Sequence, residues 1–424
     1  MILRLPFGRD AVTADLRGLR CRLLEPSAPR PAESAATLAG TALDRPEGAR
    51  ALTELAAGRR RVVVLVPDAT RRTFLPEVLP VILERLGRGG VAASSVTVLV
   101  ATGTHPAAAP DALAALIGSV PEGVRVVQHD SRDRAALTRA GVTPSGLEVR
   151  LHSAVLEADL VLAVSAVAHH YFAGFGGGPK LLFPGVAGYE EIQANHSRVI
   201  DLEVHPPRRH PACEPGVLEG NPVAEEIAAA AALRLPDLAL LQVAGADGRP
   251  AWMIAGTMER TFPLACDRAR AWYEVEAGPF DRIVVAAGGF PSDNTLVQAH
   301  KALDAACRFA APDAEVLFVA SCDGGPGSSD VAPFLADPRP DAIVARLAQR
   351  YVQYGHTTLR LIEKTARFRV SAVTRLPADQ TEALGFRVVA DTQSVLDRWR
   401  DEAPGAVVGV TAGAPVYPRI RAAV

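Results

Sequence analysis

The chain has 424 residues, more than one hydrophobic core usually supports, so two domains are expected. Apolar residues make up 49% of the chain and charged residues 22%, which is typical of a globular protein and excludes a disordered one. The formal net charge is only −2, so the basic excess expected of a nucleic-acid-binding protein is missing.

Apolar runs and cysteines indicate the compartment. No apolar run reaches the roughly 20 residues needed to cross a bilayer, and Met1 to Pro6 does not have the pattern of a secretory signal. The cysteines are scattered, odd in number and without a Cys-x-x-Cys pair: Cys21, Cys213, Cys266, Cys307 and Cys322. This pattern favours free or buried thiols in a reducing environment. We therefore expect a cytoplasmic protein with no membrane partner.

Short apolar runs alternate with helix-like stretches along the chain. In the first part, strands are predicted over 61–67, 96–101, 124–127 and 158–164, and helices over 75–86 and 189–200. After Ala277-Gly278-Pro279, strands are predicted over 282–287, 315–320, 368–373 and 406–410. Apolar strands separated by helices predict two α/β domains with mostly parallel sheets. We place the domains at 1–276 and 277–424, with the active site in the cleft between them.

Polar residues cluster where the predicted strands end. Asp68 to Arg71 follows the first strand, Thr102 to His105 the second, and His169 to Lys180 the fourth. In the second part, Gly288 to Pro291 follows a strand, and Gln298 and Lys301 lie on the next helix. Ligands of open α/β sheets bind beyond the carboxyl ends of the strands. The repeated placement predicts a ligand site at these ends.

Lysine is scarce in this chain. Of 45 basic residues only three are lysines, Lys180, Lys301 and Lys364. A primary amine can lose its proton and attack an electrophile, which a guanidinium cannot do. No candidate catalytic residues lie near Lys364 in the sequence, and we interpret it as a lysine retained by chance. Lys180 ends the densest polar segment of the sequence, so it is the leading candidate for chemistry.

The segment before Lys180 is rich in glycine, at Gly174, Gly176, Gly177 and Gly178. Glycines let backbone N–H groups approach a ligand closely. The segment is not a phosphate-binding Walker A loop, because Pro179 precedes the lysine and Leu181 follows it. The alternative that this segment is a flexible surface loop is disfavoured, because a flexible loop does not require two histidines and one of the few lysines of the chain.

Other polar residues have both a structural and a chemical interpretation. His105, His170 and His196 could be bases or metal ligands, but their spacing matches no zinc motif, so spacing alone predicts no metal.

Asp68 could cap a helix, and Arg71 could hold a carboxylate with two hydrogen bonds. Gln298 and Lys301 share a helix face, either as exposed polar residues or as a ligand clamp. The remaining histidines with no motif context are interpreted as structural: His129, His152, His205 and His210.

Together these clusters resemble the motifs of the nickel-dependent lactate racemase family. The motifs of that family follow one another in this sequence as Asp68-x-Thr70-Arg71, Gly103-Thr104-His105, His169 to Lys180, Asn195-His196 and Gln298-x-x-Lys301. The resemblance implies a nickel-pincer nucleotide, a pyridinium mononucleotide whose nickel is bound by one carbon and two sulfurs. Soft sulfur donors in a square-planar site suit Ni(II).

The resemblance also implies roles for single residues. Lys180 would carry the cofactor through a thioamide bond, and His196 would complete the nickel coordination. His105 and His170 would be the acid/base residues on the two sides of the substrate. The remaining site residues would be Asp68, Thr70, Gly176, Gly177 and Gly178 for the cofactor, and Arg71, Gln298 and Lys301 for the substrate.

The implied activity is a racemase or epimerase that changes the configuration at C2 of a small 2-hydroxy acid by hydride transfer to and from the cofactor. Cofactor-biosynthesis proteins would be partners, and the oligomeric state is left open. Arg72 stands where the family commonly has proline and Val297 where lactate racemase has tyrosine, so malate or another 2-hydroxy acid competes with lactate. The alternatives are a pyridoxal-phosphate-type Schiff base on Lys180 and a non-catalytic member that binds an anion or nucleotide.

Overall fold

Strands and helices alternate along the chain in the computed structural model, which describes residues 1–71, 73–413 and 415–419. The strands are β1 (Ile2–Phe7), β2 (Asp10–Asp15), β3 (Arg20–Leu23), β4 (Val62–Pro67), β5 (Val96–Ala101), β6 (Arg125–Gln128), β7 (Leu137–Val142), β8 (Glu148–His152), β9 (Leu160–Ala166), β10 (Ala168–His170), β11 (Gly174–Gly176), β12 (Ile200–Asp201), β13 (Arg208–Arg209), β14 (Leu238–Ala244), β15 (Pro250–Gly256), β16 (Glu274–Val275), β17 (Phe280–Ala286), β18 (Ala310–Val319), β19 (Arg369–Val373), β20 (Arg387–Val388), β21 (Val407–Thr411) and β22 (Tyr417–Pro418).

The helices are α1 (Ala35–Asp44), α2 (Leu52–Leu55), α3 (Leu75–Arg88), α4 (Pro110–Ile117), α5 (Ser153–Glu157), α6 (Tyr189–Ser197), α7 (Pro222–Ala231), α8 (Met258–Tyr273), α9 (Leu296–Ala306), α10 (Pro340–Gln349), α11 (Gly355–Arg367), α12 (Ala378–Ala383) and α13 (Thr392–Glu402). Short 3₁₀ turns also occur, and one of them, Gly178–Leu181, contains Lys180.

The chain divides into two units. The Lys180 unit consists of Ala28–Val199 and Pro211–Arg270. The C-terminal unit consists of Met1–Ser27, Ile200–His210 and the described residues from Ala271 onward. This division differs from the single break predicted between residues 276 and 277. The reason is that β3 pairs in parallel with β21, which ties the N-terminal residues to the C-terminal sheet.

The Lys180 unit is built on a sheet with strand order β15-β14-β9-β4-β5-β6. Its pairs are parallel except for β15, which runs antiparallel to β14. Every residue of β4 and β5 is buried, as expected for runs of valine and leucine that are covered on both faces. Helices α1 and α3 contribute to the same apolar core.

The C-terminal unit has a second sheet, with strand order β20-β19-β18-β17-β21-β3 and parallel pairs. The antiparallel pair β1–β2 packs on it through Leu5, Ala14 and Leu16, together with Trp399 of α13. Two α/β units with mostly parallel sheets confirm the predicted fold class. The predicted cleft between them stays a prediction.

The strand ends of the Lys180 unit lie at one edge of its sheet. Pro67 at the end of β4 is paired with Ala101 at the end of β5, and Leu65 of β4 is paired with Ala163 of β9. Parallel pairing in this register brings the segments that follow β4, β5 and β9 to the same edge. All five cysteines are free thiols, and no helix in the described residues is long and apolar enough to span a membrane.

Candidate active site

Asp68 and His105 form the closest charged contact of the site. Nδ1 of His105 lies 2.6 Å from Oδ2 of Asp68, and the hydroxyl of Thr70 donates to Oδ1 of Asp68 at 2.6 Å. Burial by itself raises the pKa of Asp68, but the hydrogen bonds from His105 and Thr70 and the nearby positive charges outweigh it, and the net pKa is lowered. Asp68 is therefore a carboxylate that accepts the Nδ1–H of His105, which leaves Nε2 of that ring to accept a proton.

This arrangement settles the helix-cap alternative for Asp68. Helix α3 begins at Leu75, and its capping position is Phe74, so Asp68 is not a helix cap. Its carboxylate instead accepts hydrogen bonds from the side chains of Thr70 and His105.

The glycines before Lys180 are held tightly. Gly177 and Gly178 have φ angles of +75° and +55°, in the left-handed region. A Cβ on Gly177 would lie 2.2 Å from the carbonyl oxygen of Ala166, so this position requires glycine. The amide of Gly178 donates to Oγ of Ser165 at 2.9 Å.

The expectation that the glycine N–H groups face a ligand is therefore wrong for Gly178, whose amide bonds to Ser165. Gly176 lies on β11, which pairs antiparallel with β10 and so places His170 opposite Gly174. The glycines allow a close turn that fixes Lys180. Ser165 was missed by the sequence analysis, although a serine ending an otherwise apolar strand was a usable signal.

Lys180 lies partly buried on this turn. Burial, together with the smaller effect of the positive charge of Arg71, lowers the pKa of its amine to about 7. The amine lies 5.5 Å from the ring centre of Phe172. A substantial fraction of this amine is neutral near pH 7, so it can act as a nucleophile.

His196 lies on α6 and is buried, with 8% of its surface exposed. Burial, the charge of Lys180 and the charge of His105 lower the pKa of His196 to about 3, so the imidazole is neutral. Nδ1 of His196 lies 3.1 Å from Oδ1 of Asn195. A neutral, buried imidazole near Lys180 fits the role of a metal ligand.

His170 is held differently from His105. Its Nδ1 accepts the amide of Ala173 at 3.3 Å, so a neutral ring in this position carries its proton on Nε2. The rings of His170 and Phe172 pack in a T-shaped arrangement with ring centres 4.7 Å apart. The two histidines are thus held in opposite tautomers.

Phe172 connects the parts of this site. Its ring packs against His170 and, at 5.2 Å between ring centres, against His196, and it faces the amine of Lys180. The sequence analysis quoted Phe172 within the glycine-rich segment but gave it no role. An apolar ring in an otherwise polar segment was the available signal.

The remaining predicted substrate residues lie in the C-terminal unit. The amine of Lys301 donates to Oε1 of Gln298 at 2.6 Å, so the two residues do share one face of α9. Val297 is buried on the same helix. Arg72, which motivated the malate hypothesis, lies outside the described residues.

Lys364 has a structural role that its sequence neighbourhood did not indicate. Its amine lies 3.0 Å from Oδ1 of Asp304, which is also bound by Arg360 and Arg308. Burial raises the pKa of Asp304, but these three cations outweigh it and hold that pKa well below its usual range. The interpretation of Lys364 as a lysine retained by chance is corrected accordingly.

Comparisons with known proteins identify the family of this chain. The family model described as the lactate racemase N-terminal domain matches residues 7–205. The lactate racemase of Lactiplantibacillus plantarum is 30% identical over 296 residues, which span 70% of this chain and 68% of the relative. The chain belongs to the lactate racemase family. A second relative, the lactate racemase of Thermoanaerobacterium thermosaccharolyticum, is 29% identical over 316 residues, spanning 73% of this chain and 71% of that protein.

Solved structures show the same fold. The lactate racemase apoprotein from Thermoanaerobacterium thermosaccharolyticum matches with a TM-score of 0.86 and 24% identity, over 99% of this chain and 100% of that one. A protein from Thermotoga maritima matches with a TM-score of 0.65 and 15% identity, over 90% and 97% of the two chains. Membership of the lactate racemase family makes the chain an enzyme of the isomerase class and confirms the resemblance found in the sequence.

Proposed function

We propose that this member of the lactate racemase family interconverts the two enantiomers of lactate, or of a closely similar 2-hydroxy acid, with a nickel-pincer nucleotide attached to Lys180. The family relationship supports racemase activity. The observation that carries the proposal is the packing around Phe172, whose ring faces the amine of Lys180 and contacts the rings of His170 and His196. Arg71 acts on the pKa of Lys180, and both Lys180 and His105 act on the pKa of His196. An acylatable amine, a buried neutral imidazole and a carboxylate-supported base therefore lie together.

The residues of the Lys180 unit fit such a cofactor. Lys180 offers an amine that is partly neutral near pH 7, as a thioamide linkage to a nucleotide requires. His196 offers one neutral imidazole to a metal whose other donors come with the cofactor. The left-handed turn at Gly177 and Gly178 fixes the lysine that would carry it. When bound, the nucleotide supplies the centre that accepts and returns the hydrogen of C2 as hydride.

The protons are handled by the two histidines. Nε2 of His105 takes the proton of the substrate hydroxyl, and Asp68 stabilises the resulting imidazolium through the 2.6 Å contact to Nδ1. In this direction His170 starts the turnover as an imidazolium, gives its Nε2 proton to the hydroxyl that re-forms with the opposite configuration, and ends as a neutral ring. Each enantiomer needs its own base, which is why the reaction uses two histidines.

The substrate carboxylate is bound by cations in this proposal. Arg71 lies close enough to Lys180 for its charge to lower the pKa of that amine. Its guanidinium can hold a carboxylate with two hydrogen bonds. Binding by Gln298 and Lys301 of the C-terminal unit stays a prediction, as do the cytoplasmic location and the dependence on cofactor-biosynthesis proteins.

The test uses the full chain produced together with cofactor-biosynthesis proteins. The loaded enzyme is incubated with one enantiomer of lactate in D₂O, and both enantiomers and the deuterium at C2 are measured. We expect a racemic mixture that keeps protium at C2, because hydride does not exchange with solvent. Deuterium at C2 would instead support proton abstraction, as in the Schiff-base alternative on Lys180. Absence of racemisation by a nickel-loaded chain would refute lactate as substrate, and malate would then be tested.

A further inference from the structure

His196 is held by a side chain whose orientation is fixed by a second contact. Nδ2 of Asn195 donates to the carbonyl of Val223 at 3.0 Å, so the amide of Asn195 must present Oδ1 to Nδ1 of His196. An amide oxygen can only accept, so Nδ1 of His196 carries the proton. The other ring nitrogen, Nε2, then keeps its lone pair. Asn195 has no exposed surface, so water does not compete for these contacts.

The support for Asn195 comes from the first turn of α7. Asn221 caps this helix, since its Oδ1 accepts the amides of Val223 at 3.1 Å and Ala224 at 3.2 Å. Nδ2 of Asn221 also donates to the carbonyl of Phe172 at 2.9 Å. The same turn therefore holds the backbone of Phe172 beside His170 and, through Val223, the amide that faces His196.

We propose that Asn195 is a positioning residue that fixes the tautomer of His196 so that Nε2 is the atom offered to a metal, with the capped turn of α7 as its support. This inference rests on the proposed role of His196. Metal-binding histidines commonly donate their second ring nitrogen to a carboxylate or carbonyl oxygen, which sets the tautomer and ring orientation. A carboxamide with its own nitrogen anchored does the same here without adding charge.

One competing acceptor lies on the same helix. The backbone carbonyl of Ile192, one turn before His196, also lies near the ring and raises its pKa as a possible acceptor. If that carbonyl alone determined the tautomer, removal of the Asn195 amide would leave the ring unchanged. The two explanations therefore predict different results for a variant that keeps the size of residue 195 but loses its hydrogen bonds.

The first measurement is the tautomer of His196 in the full chain without cofactor. The chain is labelled with ¹⁵N in its histidine rings, and His196 is assigned by loss of its signals in His196→Gln. We expect the Nδ1–H tautomer in the unaltered chain and in Asn195→Asp, which keeps an acceptor, and a mixture of tautomers in Asn195→Leu. Ile283→Val, a buried substitution in the C-terminal unit, is the control and should keep the Nδ1–H form. An unchanged tautomer in Asn195→Leu, or a mixture in Ile283→Val, overturns the proposal.

The second measurement separates this inference from the proposed function. Chains produced with cofactor-biosynthesis proteins are analysed for adduct mass on Lys180 and for bound nickel. Asn195→Leu should keep the adduct and bind nickel roughly 10–100-fold more weakly, as is typical when the partner of a ligating histidine is lost. Nickel retained as tightly as in the unaltered chain overturns the inference. Absence of an adduct in the unaltered chain refutes the proposed cofactor instead, and the tautomer result still decides the role of Asn195.

Discussion

Nδ1 of His105 lies 2.6 Å from Oδ2 of Asp68, and this contact gives one histidine of the site a carboxylate partner. His170 has a backbone amide, that of Ala173, at the equivalent nitrogen. A carboxylate stabilises a second proton on its imidazole, whereas an amide donor opposes one. His105 is therefore the better-supported base in this arrangement.

Replacing the carboxylate of Asp68 tests this support. Asp68→Asn should lower kcat for racemisation roughly 10²–10⁴-fold, because an amide can hold the wrong tautomer of His105 and cannot stabilise the imidazolium. The measurement is the steady-state rate with cofactor loading verified by mass. Thr70→Val, which removes only the hydroxyl that donates to Asp68, should cost far less. Equal losses in the two variants would contradict the assigned support.

Removing either histidine should affect the oxidation of the two enantiomers differently. His105→Gln and His170→Gln should each lower racemisation in both directions by roughly 10²–10⁴-fold, since the full reaction needs both. In single-turnover experiments each variant should still oxidise one enantiomer to the 2-oxo acid and fail with the other, and the surviving enantiomer should differ between the variants. If one variant oxidised neither enantiomer and the other variant oxidised both, the paired roles of the two histidines would be ruled out.

The amine of Lys180 should be reactive near neutral pH in the chain without cofactor. Its pKa of about 7 implies that roughly half is neutral at pH 7, against well under one in a thousand for an ordinary lysine. Limited acetylation at pH 7, followed by peptide mass spectrometry, should modify Lys180 first among the three lysines of the chain. The ion-paired Lys364 is the internal comparison.

A variant of Arg71 tests the direction in which its charge shifts the pKa of Lys180. Burial and the charge of Arg71 both disfavour the ammonium form, so Arg71→Ala should raise the pKa of Lys180 and move its labelling profile to higher pH. A profile that stays in place or moves to lower pH would show that Arg71 does not act on this amine.

The buried carboxylate of Asp304 should matter for stability. Asp304→Ala would leave Arg360 buried without its two-pronged partner, so we expect a loss of about 3–5 kcal/mol in the free energy of unfolding of this unit. Urea denaturation followed by circular dichroism measures this loss. Asp341→Ala, at an exposed position, is the control and should change little. A loss under about 1 kcal/mol for Asp304→Ala would contradict the structural role, including that of Lys364.

The central strands could be predicted because burial on both faces imposes a local pattern. The predicted strand over 96–101 coincides with β5, and the strand over 61–67 differs from β4 by one residue. The N-terminal strand β3 was not assigned, because it is short and carries two arginines, and three of its four residues are exposed. Its place depends on pairing with β21, almost the full chain length away, which no local pattern reveals.

Individual site residues were predicted only where they belong to a recognisable sequence motif. Asp68 and His105 were both named from the sequence, yet the contact between them follows from the register of β4 and β5. Phe172 and Asn221 act through ring packing and backbone hydrogen bonds, which depend on the folded chain. The scarcity of lysine pointed to Lys180, but the causes of its lowered pKa, burial and the charge of Arg71, depend on the folded chain.

Intact-protein mass with nickel analysis tests the central claim most directly. The chain is produced together with cofactor-biosynthesis proteins, and Lys180→Ala is produced in parallel. We predict a nucleotide-sized adduct located on Lys180, about one nickel per chain, and neither in Lys180→Ala. A racemising chain whose Lys180 is unmodified would contradict the account.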